Sequence, residues 1–116
     1  MSDHDTTVAE LANLVRQFVD ERNWSQFHSP KNLAMGLAIE AAELMEHFQW
    51  ITTDESRTVG TDPQRREGIC DELADVFCYV LALANELKVD LDTELRRKMI
   101  KNVAKYPAQQ FQGRFE

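Results

Sequence analysis

Glu40 and Glu43 stand three residues apart in the segment LAIEAAELMEHFQW (37–50), and Glu72 and Asp75 stand three apart in ELADVFCY (72–79). On a helix, each spacing places both carboxylates on one face. Both pairs interrupt apolar stretches, and carrying an unpaired carboxylate into a core is prohibitive. Four of them together would repel until some took up protons. A divalent cation removes that difficulty. Carboxylate oxygens without Cys or His select a hard ion, Mg²⁺ first and Mn²⁺ second, with waters and substrate phosphates completing its shell. The competing reading pairs these acids with Arg65, Arg66, Arg96, Arg97 or Lys98, or leaves them facing solvent as helix glutamates commonly do. A ferritin-like di-iron site would need Glu with His three residues on, twice. Glu43 and His47 are four apart, and the helix carrying Glu72 has no His.

The elements that must position these acids all read as helical. Thr7 with Glu10 forms a plausible capping box, and Val8, Leu11, Leu14, Val15, Phe18 and Val19 recur at helical spacing, predicting a first helix over about 7–22. RNWSQFHSP breaks the periodicity, and Ser29 with Pro30 is a good N-cap and first-turn pair for a second helix running to about 51. The polar stretch TTDESRTVGT (52–61) predicts a loop, ended by Asp62 and Pro63. A third helix over about 63–88 carries the uncharged run VFCYVLALA, which implies protein on nearly every side. Asp90 caps a fourth helix through LDTELRRKMIKNVAK, which must stop before Pro107. The tail beyond it reads as frayed. With no strand signal or internal repeat, the expectation is one all-α domain over 1–116, a four-helix bundle. Its second and third helices are apolar all round, so an oligomer follows naturally.

Composition narrows the function further. The chain has 116 residues, 43% of them hydrophobic, with four Gly and three Pro, which suits a compact helical protein and argues against disorder. A formal charge of −7 disfavours a nucleic-acid polymer or an anionic membrane as partner, and any phosphate ligand would need cations beside it. With neither an opening signal segment nor a run of 18 apolar residues, the expected location is cytoplasmic. Cys70 and Cys78 lie eight residues, about 12 Å, apart on one predicted helix, too far to bridge, and read as buried thiols.

EAAE at 40–43, followed by ELAD at 72–75, resembles the ExxE and ExxD metal motif of the all-α nucleotide pyrophosphohydrolases, the MazG-like group. RNWSQFHSPKNL, ELMEHFQW, ELADVFCY and KYPA are similar to the corresponding stretches of the branch that acts on dCTP. The resemblance covers about residues 7–108. It implies a helical bundle assembled as a homodimer or homotetramer, with nucleotide sites between subunits. The implied reaction is hydrolysis of a deoxynucleoside triphosphate to the monophosphate and pyrophosphate. Glu40, Glu43, Glu72 and Asp75 match the family's Mg²⁺ ligands, and one glutamate could instead hold the attacking water as general base.

Trp24 and Trp50 match base-pocket positions, where flat aromatic faces stack on the base; ordinary core packing is the alternative. Phe27 and His28 share a loop with Trp24 and are candidates for the same pocket, although His28 would equally serve a loop hydrogen bond. Tyr79, one turn beyond Asp75, is a candidate sugar contact that excludes a 2′-hydroxyl, against the alternative of a buried Tyr bonded to backbone. Lys98, Asn102 and Lys105 recur on one face of the fourth helix, and the first two match residues near the phosphates. Lys105 alone would also suit a helix C-terminus. Two departures stand out: the eukaryotic dCTP enzymes carry a longer polar tail, and His is expected from that branch where this chain has Val15. The leading reading is a dNTP pyrophosphohydrolase preferring dCTP or its 5-substituted forms. The alternatives are a dUTP or broad dNTP enzyme, and a non-catalytic helical dimerisation module.

Overall fold

The computed structural model describes residues 1–114. Six helices follow in order: α1 Val8–Glu21, α2 Pro30–Glu46, α3 Thr53–Thr58, α4 Pro63–Leu87, α5 Leu91–Lys105 and α6 Ala108–Phe111, with 3-10 turns at Ser25–Phe27 and Val59–Thr61. The described residues contain no strand, and no helix long and apolar enough to cross a membrane. The expected start signals are formed, although at Thr7 only one half of the expected capping box with Glu10 is made. Thr7 and Ser29 accept the N–H groups of Glu10 and Asn32, each at 3.1 Å. Asp62 accepts that of Gln64, and Asp90 that of Thr93. Each satisfies an otherwise orphaned first-turn donor.

Four expectations need correction. α2 stops at Glu46, and turns occupy the residues that follow. The segment 52–61 is helical: α3 is stabilised by a full capping box, Thr52 Oγ1 accepting the Glu55 N–H at 3.1 Å and Glu55 Oε1 accepting the Thr52 N–H at 3.3 Å. The tail forms the short helix α6. Cys70 is exposed, and Cys78 is partly buried.

α2 and α4 form the central pair, and two glycines define how they meet. A Cβ placed on Gly36 would overlap the Tyr79 ring, 2.9 Å from Cζ, and one placed on Gly68 would lie 2.9 Å from Cε1 of His47. Each helix therefore gives up a side chain so that a ring from the other can lie on its backbone. Gly36 meeting Tyr79 while His47 meets Gly68 makes the helices antiparallel. The two contacts are eleven residues apart on each helix, about three turns, so they lie on one face. The four acids fall between them.

α1 packs on α4, where the Asn85 side chain donates to the Ala12 carbonyl and accepts from Arg16, both at 2.9 Å. Leu33, 1% exposed, is the most deeply buried large side chain. α5 contributes no buried residue; Leu95, Ile100 and Val103 on it are exposed. The radius of gyration is accordingly 17.1 Å, against about 13 Å for a compact chain of this length. The uncharged run on α4 is also only partly covered, with Phe77 exposed.

Gly36→Ala tests the seam. Overpacking against Tyr79 should cost about 1–3 kcal/mol, outweighing the gain in helix propensity of about 1 kcal/mol. Denaturant unfolding that showed a stabilised variant would contradict the ring-on-glycine contact.

Candidate metal centre and adjoining pocket

Midway between the two glycine contacts, Glu40 and Glu43 of α2 meet Glu72 of α4, while Asp75 lies outside this group of three and lines the adjoining pocket with Glu40. One carboxylate oxygen each from Glu40, Glu43 and Glu72 lie within 4.8 Å of one another. Oε2 of Glu40 and Oε2 of Glu72 are buried with no hydrogen-bond partner, a condition that folded proteins rarely leave uncompensated. Loss of hydration pushes the Glu40 carboxyl up to about 7, reinforced by the neighbouring carboxylates of Glu43, Asp75 and Glu72. The Glu72 carboxyl is raised as well, by loss of hydration first and then by the nearby Glu43 carboxylate.

The ion-pair alternative is not realised among the described residues. The pairs among the described residues are Arg22 with Glu21, Arg96 with Asp92 and Arg97 with Glu94. Full solvation is excluded by the two buried oxygens. An all-oxygen cluster with orphaned acceptors fits a hard divalent cation, which would satisfy those acceptors and relieve the repulsion.

Beside the cluster is a pocket of about 290 Å³, whose wall includes Trp24, His28 and Tyr79 together with Glu40 and Asp75. Trp24 is held edge-on to Phe18 at 5.6 Å, and its ring lies 6.4 Å from that of His28. Three of the aromatic or imidazole groups singled out in the sequence thus share one cavity with two of the acids. Val15 also lines it. So does Cys78, whose thiol is pushed up by burial and then by the charges of Asp75 and Glu40. Its spacing of three from Asp75 was the available signal for that placement.

The remaining candidates lie elsewhere. Phe27 is outside the pocket, and its carbonyl accepts from the Asn32 side chain at 3.1 Å. Trp50 is 87% exposed beyond the far end of α2. From Leu33 to Glu46 that helix rises about 20 Å, so Trp24 and Trp50 occupy opposite ends of the seam. Lys98, Asn102 and Lys105 ride on α5 and do not line the pocket; Lys105 instead lies 5.3 Å from the Tyr106 ring. A larger cleft of about 510 Å³, bordered by Thr7, Arg16, Asn85 and Asp90, is remote from the acids. Its Arg16 and Asn85 are already bonded to each other, so chemistry rather than size locates the site.

Comparison with known proteins places this architecture. The family model described as MazG-like matches residues 36–114, which include all four acids. dCTP pyrophosphatase 1 of Homo sapiens is 40% identical over 104 residues, covering 90% of this chain and 61% of that protein. The Bos taurus protein of the same name is 36% identical over 109 residues, covering 94% and 64%. A solved pyrophosphatase from Archaeoglobus fulgidus superposes with a TM-score of 0.81 at 39% identity, covering 92% of this chain and 98% of that one. The chain belongs to the MazG-like family. It spans less than two thirds of the length of these mammalian relatives.

The raised carboxyl gives a pH signature. Folded, metal-free protein keeps the Glu40 proton up to about pH 7, whereas the unfolded chain loses it near 4.5. The folded state binds more protons in that window, so this stabilisation is complete below about 4.5 and is lost as pH rises through about 7. In chelator, melts at about pH 5 and about pH 7.5 should show the wild type losing more stability than Glu40→Gln. Equal losses would remove Glu40 from the coupled cluster.

Proposed function

We propose that this chain is a Mg²⁺-dependent pyrophosphohydrolase that adds water across the α–β phosphoanhydride of a deoxynucleoside triphosphate, releasing the monophosphate and pyrophosphate. dCTP or a 5-substituted dCTP is the preferred substrate. The observation that carries this reading is the pair of orphaned buried oxygens on Glu40 and Glu72, set beside a pocket with an aromatic wall. The names of the mammalian relatives and of the archaeal structure support it.

Glu40, Glu43, Glu72 and Asp75 hold the cation, for which Mn²⁺ is the second choice. When bound, it neutralises triphosphate charge and lowers the pKa of a water. One of the carboxylates takes the proton of the attacking water. Trp24 and His28 receive the base, and Tyr79, lying on Gly36, packs against the sugar where a 2′-hydroxyl would clash. Val15 favours a second reading of the specificity. It presents a methyl surface where the dCTP-acting branch leads one to expect His, and offers the base no hydrogen bond. That wall suits a dUTP or broad dNTP enzyme better than a strict reader of cytosine.

A homodimer or homotetramer completes the site and closes the four-helix bundle. Met35 and Ile39 on α2, Leu73 and Phe77 on α4, and the apolar side of α5 are exposed in one chain, and an exposed apolar surface of this extent marks an interface. A second copy brings Trp50, Lys98, Asn102 and Lys105 to the pocket and cluster that their own chain leaves incomplete. A dimerisation module without catalysis would leave the buried acids unexplained. The enzyme acts on the cytoplasmic nucleotide pool, without a nucleic-acid or membrane partner.

Incubation with a panel of dNTPs and Mg²⁺, followed by product analysis, tests reaction and base together. Glu43→Gln and Asp75→Asn should abolish turnover while the helices still fold, and retained Mg²⁺-dependent activity would contradict the metal assignment. Trp50→Ala should weaken binding of a non-hydrolysable dCTP analogue by about 5- to 150-fold, the range for removing one base–aromatic stack. Because Trp50 is exposed in the isolated chain, no intrachain cavity should form. Unchanged affinity with a sharply lowered melting temperature would return it to a structural role.

A further inference from the structure

His47 lies half-buried on the α2–α4 seam, over the bare backbone of Gly68. His47 is the C-cap of α2, with Glu43 one turn earlier, and one turn beyond Gly68 on the facing helix is Glu72. Arg65 precedes Gly68 by three residues and Glu72 by seven, so it shares their face of α4. Neither His47 nor Arg65 belongs to an ion pair among the described residues. Arg66, in contrast, lies against the 3-10 turn, its Nη1 3.5 Å from where a Gly60 Cβ would sit.

The seam therefore has a direction. At one end are the pocket and Tyr79 on Gly36; next come Glu40 and Asp75, then Glu43 and Glu72, then His47 on Gly68, and last Arg65, with successive levels about one turn or 5.4 Å apart. A nucleotide with its base in the pocket and its inner phosphates at the acids must extend its outer phosphates towards His47. A chain of net charge −7 can accept that anion only beside local donors. An imidazole N–H and a guanidinium fork supply them.

We propose, on the pyrophosphohydrolase reading, that His47 and Arg65 bind the outer two phosphates of the substrate and hold the pyrophosphate product before release. Gly68 belongs to the same device, because any side chain there would displace the imidazole.

The test is product inhibition of the full chain with Mg²⁺, using inorganic pyrophosphate and, separately, the nucleoside monophosphate product. His47→Leu and Arg65→Gln should each weaken inhibition by pyrophosphate roughly tenfold or more, the effect of losing one hydrogen bond to a charged group. Inhibition by the monophosphate should not change. Gly68→Ala retains both donors, displaces the ring and should reproduce the His47→Leu result, so the inference is still tested if His47→Leu fails to fold. Unchanged pyrophosphate inhibition in the folded variants, an equal loss for both products, or a loss confined to the monophosphate would overturn the assignment. Wild type that hydrolyses dNTPs but ignores pyrophosphate would do the same while leaving the enzymatic reading intact. Absence of any dNTP hydrolysis would overturn both.

Discussion

Mutual repulsion among Glu40, Glu43, Glu72 and Asp75, held together without counter-charges, is the constraint on which the rest of this structure depends. Acids on adjacent helices would ordinarily relax apart or turn to water. Here the helices cannot separate without lifting Tyr79 off Gly36 and His47 off Gly68, and those contacts bracket the acids from both ends. The close approach strips water from two carboxylate oxygens, which pushes the Glu40 and Glu72 carboxyls upward. A hard cation, if bound as proposed, would stabilise this arrangement by mass action.

Much of this was legible in the sequence, for identifiable reasons. The i, i+3 acids in apolar segments pointed to one seam because helical periodicity fixes faces, and Ser29–Pro30 and Asp62–Pro63 marked the starts of the two helices that carry them. α3 was missed because the signal sought was apolar periodicity. TDESRT has none, and its stability comes from the reciprocal Thr52–Glu55 hydrogen bonds. The end of α2 was misplaced because residues 47–51 continue an apolar and aromatic composition, while composition alone does not reveal turns. Neither Gly36 nor Gly68 stands out in the sequence. What each admits is a ring from the facing helix, a pairing that one helix's sequence does not express.

The partners of Trp50 and of the α5 side chains were hidden for a different reason. Spacing places residues on a face but does not say which copy of the chain that face meets. Trp24 packs with Phe18 within its own chain, so its position follows from local folding. Trp50 has no comparable support, and α5 buries nothing. Trp24, His28 and Tyr79 thus come together through contacts within one chain. Trp50, Lys98, Asn102 and Lys105 have surroundings that the single chain leaves open. The same division runs through the helices: α1 and α2 each pack on α4 within the chain, while the apolar side of α5 remains without a cover.

The two ring-on-glycine contacts use one geometric device for different chemistry, and their order along the seam is not interchangeable. A phenol ring at the pocket end continues an apolar wall with Leu33 and Trp24, suited to a sugar and a base. An imidazole there would bring a second polar edge into the region that must exclude water. At the other end the requirement reverses, because an extended polyanion leaving the acids meets a net negative chain. A phenol on Gly68 would fill the same notch but supply only a neutral hydroxyl, whereas an imidazole can donate as a neutral or as a charged group. With the apolar ring beside the pocket and the basic ring at the end of the seam whose face also carries Arg65, the seam has the polarity that the proposed substrate, read from base to terminal phosphate, would require. The acids between them are the point at which, on the proposed function, a cation would join the two halves of the seam.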